Sequence, residues 1–291
     1  MTEGYRALRH GAALLDLSAR GRILVRGRDR VRLLHNLTSN HIKALVPGAG
    51  CYAFLLNPQG RIQADLHLFA FPERFLIDTE PELREKAPAH IRRYIIADQV
   101  ELEDVTATTS AISVEGPRAA AMLESLGARL PEPEFAHAAW GDRTVAALTV
   151  TGQPGARVYC PSVEDAASLA AQLTAAGAVP AEADDVRTVR IENGIPRYGD
   201  DIRETTLPQE SGRMHAVSFT KGCYLGQEIV ERIRAQGHVN KQLRRVELAG
   251  DPPEPGARIM VDGNEAEVTS AIRSPETGQT IALAYVRVPR T

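Results

Sequence analysis

Residues 22–27 alternate apolar and polar positions with the period of two that marks a strand, and over 29–37 Val31, Leu34 and Leu37 fall on one helical face. The stretch YAFLLNPQGRIQADLHLFAF predicts two strands around Asn57-Pro58-Gln59-Gly60, residue types suited to a tight reversal. In the second strand Ile62, Ala64, Leu66 and Leu68 share one face, while Gln63, Asp65, His67 and Phe69 share the other. Asp65 is therefore turned away from the more apolar side. A strand near 74–79, a helix over about 81–96 and a strand near 99–104 complete a mixed α+β unit.

After a change of pattern near 107 the same plan returns. A strand is expected at 111–115, a helix from Pro117, strands near 143–150 and 156–160, and a helix over 162–176. PAEADD at 180–185 reads as a loop leading into a helix that stops at Asn193-Gly194. GDPPEPG at 250–256 is too rich in proline and glycine to lie inside an element, so a boundary falls just before it. The tail EAEVTSAIRSPETGQTIALAYVRV predicts a hairpin turning at Ser274-Pro275-Glu276-Thr277-Gly278 in a small all-β domain.

The 291 residues suffice for about two domains with a real core, and 43% hydrophobic with 24% charged residues fits a soluble globular chain. No stretch approaches the ~20 apolar residues of a membrane span. A net charge of −3 argues against a protein that grips nucleic acid over a wide surface. The run Arg20, Arg22, Arg26, Arg28, Arg30 and Arg32 could form a phosphate patch. The apolar residues between its members instead favour solvated faces of a strand and a helix, and no aromatic residue lies among them to stack bases. Cys51, Cys160 and Cys223 are too scattered for a disulfide framework or a metal-ligand set, so no metal is expected. The chain's start has no apolar core of signal-peptide length and carries Glu3 and Asp16, which points to the cytoplasm. The sequence motifs of nucleotide hydrolysis, dinucleotide binding and zinc proteolysis are missing.

Two segments could carry chemistry. In Lys221-Gly222-Cys223-Tyr224-Leu225-Gly226-Gln227-Glu228, a helix starting near Cys223 would aim its positive end at the thiol, and Lys221, one of four lysines, would add a cation. Both favour thiolate; the plainer alternative is a buried cysteine acting as a small hydrophobe. Gly222 and Gly226 would permit close approach of a ligand or partner. Glu192 stands in the last turn of its helix, where the dipole disfavours a carboxylate. It could accept paired hydrogen bonds from an amidine-like edge such as that of a pterin, or it could pair with one of the many arginines.

KGCYLGQEIVER at 221–232 resembles the signature of the YgfZ family of folate-binding proteins, a branch of the glycine-cleavage T-protein (aminomethyltransferase) superfamily. LNPQGRIQADLHLF, RIENGIPRYGDDI, LPQES and the C-terminal strands resemble it too, so the likeness covers essentially the whole chain. It implies an α+β fold of two interwoven subdomains over 1–240 and a β-barrel over 241–291, around a central opening that binds tetrahydrofolate or another reduced folate. It further implies that Glu192 holds the pterin and that Asp65 lies beside the reacting nitrogens. Tyr198 and Gln227 are implied as further folate contacts, and Lys221 with Cys223 as the reactive pair. An accessory role toward iron–sulfur client proteins follows from the same likeness, with a folate-dependent aminomethyl or one-carbon transferase as the alternative. Where aminomethyltransferases carry two adjacent acidic residues, Ala64 precedes Asp65, a departure that weighs against aminomethyl transfer.

Overall fold

The computed structural model describes residues 1–237 and 239–289. Along the chain α1 (Glu3–His10) and β1 (Ala13–Asp16) precede a first repeat of β2 (Gly21–Arg26), α2 (Arg30–Leu37), β3 (Gly50–Leu56), β4 (Ile62–Ala70), β5 (Phe75–Thr79), α3 (Lys86–Arg92) and β6 (Glu101–Asp104). A second repeat runs β7 (Ser110–Glu115), α4 (Ala119–Ser125), β8 (His137–Trp140), β9 (Arg143–Ala146), β10 (Gly155–Cys160), α5 (Val163–Ala175) and β11 (Val179–Pro180). Two helices, α6 (Ala183–Glu192) and α7 (Gln227–Gln236), lead to β12 (Lys241–Leu248), β13 (Arg258–Val261), β14 (Asn264–Arg273) and β15 (Thr280–Arg287).

The first sheet has the order β3-β4-β5-β2-β6 and the second β11-β1-β7-β10-β9-β8. Each repeat thus places its strands alike, except that β1, from the start of the chain, is wedged into the second sheet between β7 and β11. That insertion interweaves the two units. The C-terminal sheet is antiparallel in the order β12-β15-β14-β13, so this barrel-like domain begins at Lys241.

Two expected elements differ. The helix expected over 81–96 is a short 3-10 turn at Pro81–Leu83 followed by α3, because Pro81 opens a turn and Pro88 leaves room only for a short helix. The strand expected over 143–150 is shorter, β9 ending at Ala146, and it pairs with an additional strand, β8, across a turn at Gly141, whose φ of 60° is the left-handed conformation such a tight turn requires.

The alternation on β4 decides what each face meets. Ile62, Ala64, Leu66 and Leu68 pack into the main core with Leu33 and Leu34 of α2 and Ile91 of α3. Phe69, on the other face, joins Leu76 of β5 and Ala111, Ala146 and Tyr159 of the second sheet, so the two sheets meet face to face there. Farther along that same interface the side chains turn polar: Asp65 and His67 on β4, Asp78 on β5 and Arg157 on β10. The packing opens there into a cavity. No helix among the described residues is long and apolar enough to cross a membrane.

Candidate functional site

The cavity has a volume of about 630 Å³ and is walled by both sheets and by α6. This lies within the range of small-ligand sites, roughly 300–1,000 Å³. Tyr52, Asp65, His67 and Glu80 come from the first sheet and its edge, Arg157 from the second, and Val186, Arg187 and Arg190 from one face of α6. Phe135 and Arg213 reach it from loops, and His215 from a 3-10 turn at Met214–Ala216.

Asp65 is the carboxyl most open to chemistry. Its Oδ2 accepts a 2.7 Å hydrogen bond from the Tyr52 hydroxyl, and Oδ1 has no hydrogen-bond partner among the described residues. Burial and the neighbouring Glu80 push its pKa up to about 6, against which Tyr52 and Arg20 act in part. Tyr52 belongs to a cluster of four rings on the cavity wall: it lies 5.0 Å from His67 and 5.5 Å from His215, and Phe135 lies 5.9 Å from His67 and 6.3 Å from His215. Burial and the nearby arginines hold the His67 pKa well below its ordinary value, which keeps that ring neutral.

Asp78 anchors the polar floor. Its Oδ1 accepts from Arg20 Nε at 2.7 Å, and its Oδ2 from Arg157 Nη1 at 2.7 Å and the Tyr159 hydroxyl at 2.8 Å. These partners hold its carboxyl well below the usual range although burial works the other way. Arg20 also pairs with Glu80, and Arg197 Nε lies 3.0 Å from that same carboxylate. At the rim, Arg187 and Arg213 make no ion pair among the described residues.

Of the residues expected in the site, the structure brings only Asp65 to the cavity. Glu192 does not line it. Residues 186, 187 and 190 recur at helical spacing on the cavity face of α6, and a position two beyond Arg190 falls on the opposite side, toward α1. There Glu192 Oε1 accepts from the Tyr5 hydroxyl at 2.8 Å, and Oε2, buried without a hydrogen-bond partner among the described residues, lies 3.9 Å from Arg9 Nε. Tyr198 is buried outside the cavity, donating to Gln63 O at 2.9 Å and accepting from Lys86. Gln227 is the first residue of α7 and also lies outside it.

The 221–228 segment is arranged differently from expectation. Helix α7 starts at Gln227, after Gly226 at φ 83°, so Cys223 sits in an irregular, exposed loop rather than at a helix N-terminus. Lys221 is turned inward, donating to the carbonyls of His35 and Thr38 at the end of α2, where the helix dipole favours a cation. Its own carbonyl contacts His35 Nε2 at 3.0 Å, and Leu225 N donates to Asn36 O at 3.0 Å. Burial lowers the Lys221 pKa to about 7, and the thiol that its charge influences is Cys51, pushed up to about 12 by burial. Gly226 is required by close approach within the chain itself: a Cβ there would lie 2.6 Å from Asn57 O. The motif thus clamps the end of α2 against the β3–β4 turn.

Sequence reading missed Tyr52, Arg157 and the ring cluster. Arg157 was visible as a lone charge in GARVYC, and the β3–β4 register that sets Tyr52 opposite His67 follows from the Asn57–Gly60 turn.

Both parts of the chain match family models: the GCVT N-terminal domain over residues 1–221 and the glycine cleavage T-protein C-terminal barrel domain over 241–291. The chain belongs to the glycine cleavage T-protein family. Within it, the chain is 33% identical over 291 residues to an aminomethyltransferase of Rubrobacter xylanophilus, covering 97% of this chain and 78% of that relative. An aminomethyltransferase of Geobacillus kaustophilus is 30% identical over 299 residues, covering 98% and 82%. The crystal structure of the glycine cleavage system aminomethyltransferase T from Bartonella henselae superposes with a TM-score of 0.88 at 22% identity, over 98% of this chain and 81% of that one, and shares this T-protein fold.

Proposed function

We propose that the cavity binds a reduced folate and that this family member handles a one-carbon unit there, with Asp65 as the acid–base group. The observation that carries the reading is Asp65 itself, a buried carboxyl with a pKa of about 6, one oxygen held by Tyr52 and the other open to a ligand-sized cavity between the two units. A group with that pKa exchanges a proton near neutral pH, which a carboxylate at its ordinary value does far less readily. Membership of a family whose relatives are aminomethyltransferases supports the same reading.

The residues present fit such a ligand. A reduced folate carries one-carbon units on its ring and anilino nitrogens. Asp65 and Tyr52 offer a proton-exchanging pair, the rings of Phe135 and His215 offer faces to a flat ligand, and Arg187 and Arg213 offer cations at the rim to an acidic tail. The test is folate-dependent turnover: release of ammonia from an aminomethylated lipoyl carrier, or transfer from another one-carbon donor. Activity lost in Asp65→Asn is expected; equal rates in both proteins would remove Asp65 from the reaction.

A second reading is favoured by the exposure of Cys223. Its loop resembles the YgfZ signature, and an exposed thiol is reachable by a partner protein, as an accessory to iron–sulfur proteins would need. Cells lacking the gene should then lose iron–sulfur enzyme activity, regained with the wild-type chain but not with Cys223→Ser.

A further inference from the structure

His67 is the cavity group that the folate reading leaves without a task. It lies two residues beyond Asp65 on the same face of β4, and its half-buried ring lines the cavity. Neither ring nitrogen has a hydrogen-bond partner among the described residues, and neither is sealed from solvent. The other polar side chains that reach the cavity from the first sheet and its edge are engaged, Tyr52 with Asp65 and Glu80 with Arg20 and Arg197. Asp65 Oδ1 and the His67 imidazole are what remains open. Alternate residues of a strand stand about 6.6 Å apart, so these two groups can meet opposite ends of one reacting centre. Two rings orient the imidazole: Tyr52, its neighbour across the β3–β4 ladder, at 5.0 Å, and Phe135 at 5.9 Å.

We propose that His67 is a second catalytic residue, the base that takes the N–H proton of the attacking folate nitrogen while Asp65 protonates the amine that leaves. The inference rests on the folate reading and supplies a partner for Asp65, since one carboxyl cannot give a proton to one nitrogen and take a proton from another in the same step. In transfer from an aminomethyl donor, the folate nitrogen gives its lone pair to the methylene carbon, and the donor's carbon–nitrogen bond breaks with its pair on the departing nitrogen. The folate N–H proton passes to His67 and the Asp65 proton completes the ammonia, so nothing is oxidised or reduced. Return of the proton from His67 to Asp65 resets the pair. Burial and the surrounding Arg20, Arg157 and Arg213 keep the resting ring neutral and able to accept, with Asp78, its neighbour on β5, acting the other way. Once Asp65 has given up its proton, its carboxylate raises the proton affinity of the ring beside it, and the two new charges offset each other inside the cavity.

The test compares the wild type, His67→Gln and His67→Ala in tetrahydrofolate-dependent release of ammonia from an aminomethylated lipoyl carrier, with tetrahydrofolate affinity measured by calorimetry. Glutamine keeps a donor and an acceptor near the place of the ring but carries no proton away. His67→Gln should bind tetrahydrofolate within about twofold of the wild type and turn over roughly a hundredfold more slowly. Added imidazole should restore part of the rate lost in His67→Ala, and the gain should follow the neutral fraction of the imidazole as pH varies, which a merely structural histidine would not produce. A wild-type rate in His67→Gln, affinity and rate falling together, or no gain from imidazole in a folded His67→Ala overturns the inference and leaves the folate reading intact. A wild type that binds tetrahydrofolate but releases no ammonia overturns the transfer and the inference with it, and one that does not bind it overturns both readings. Should neither variant fold, the His67 ring resonances of the wild type decide: they should shift on saturation with tetrahydrofolate, and unmoved resonances reject contact with the ligand.

Discussion

The Tyr52 hydroxyl reaches Asp65 diagonally across the β3–β4 ladder: the strand register sets Tyr52 opposite His67 and Asp65 opposite Phe54, yet the hydroxyl lies 2.7 Å from Asp65 Oδ2. Such diagonal contacts are within reach of an aromatic side chain. This one holds a carboxyl that burial has made reluctant to ionise, and it leaves the second oxygen to the cavity.

Asp65 therefore lowers stability at neutral pH. Its folded pKa of about 6 lies above its ordinary value of 3.8, so the folded chain binds the extra proton and loses stability as pH rises from about 4 to about 6. Asp65→Asn should raise stability at pH 7.5 by on the order of 2–3 kcal/mol and have little effect at pH 3.5. Urea unfolding of both proteins at the two pH values measures this.

Asp78 works in the opposite sense. Its folded pKa is depressed, so its contribution is present above its unfolded value and is lost only as pH falls through the much lower folded one. Asp78→Ala would leave Arg157 and Arg20 without a buried counter-charge and should cost about 3–5 kcal/mol, read from the shift in the urea midpoint at pH 7.

Much of this was legible from local pattern. The period of two on β4 separated Asp65 from the core face, and the repeated order of elements was visible on either side of residue 107. Pairing between distant segments was not: nothing near Ala13–Asp16 tells that this strand lies between β7 and β11. At Glu192 a helix terminus makes any carboxylate conspicuous, whereas the face it occupies depends on which side of α6 meets the cavity. At 221–228 the position of Gly226 in the left-handed region delays the helix, and the end of α2 draws Lys221 inward, a tertiary demand with no local trace.

Lys221 gives a second pH signature. Its folded pKa of about 7 lies below the ordinary 10.5, so the unfolded chain binds the extra proton over that interval and stability rises with pH across it. Against Lys221→Met, the wild type should gain on the order of a few kcal/mol between pH 7 and 10. Because Lys221 faces away from Cys223, the same variant should leave the alkylation rate of Cys223 unchanged; a marked slowing would show that the ammonium activates that thiol.

Glu192→Gln should leave affinity for a reduced folate as in the wild type, since the side chain bonds to Tyr5 outside the cavity. Calorimetry checks it, and a tenfold loss would return Glu192 to the binding site.

The central claim is that the cavity between the two interwoven units is the ligand site. It is tested most directly by titrating tetrahydrofolate into the wild type, Val186→Trp and Cys223→Ser under anaerobic conditions. Val186 lines the cavity from α6, so an indole there takes up space inside it. Binding by the wild type and Cys223→Ser, and none by a folded Val186→Trp, is the predicted result; equal binding by all three, or none by the wild type, would contradict it.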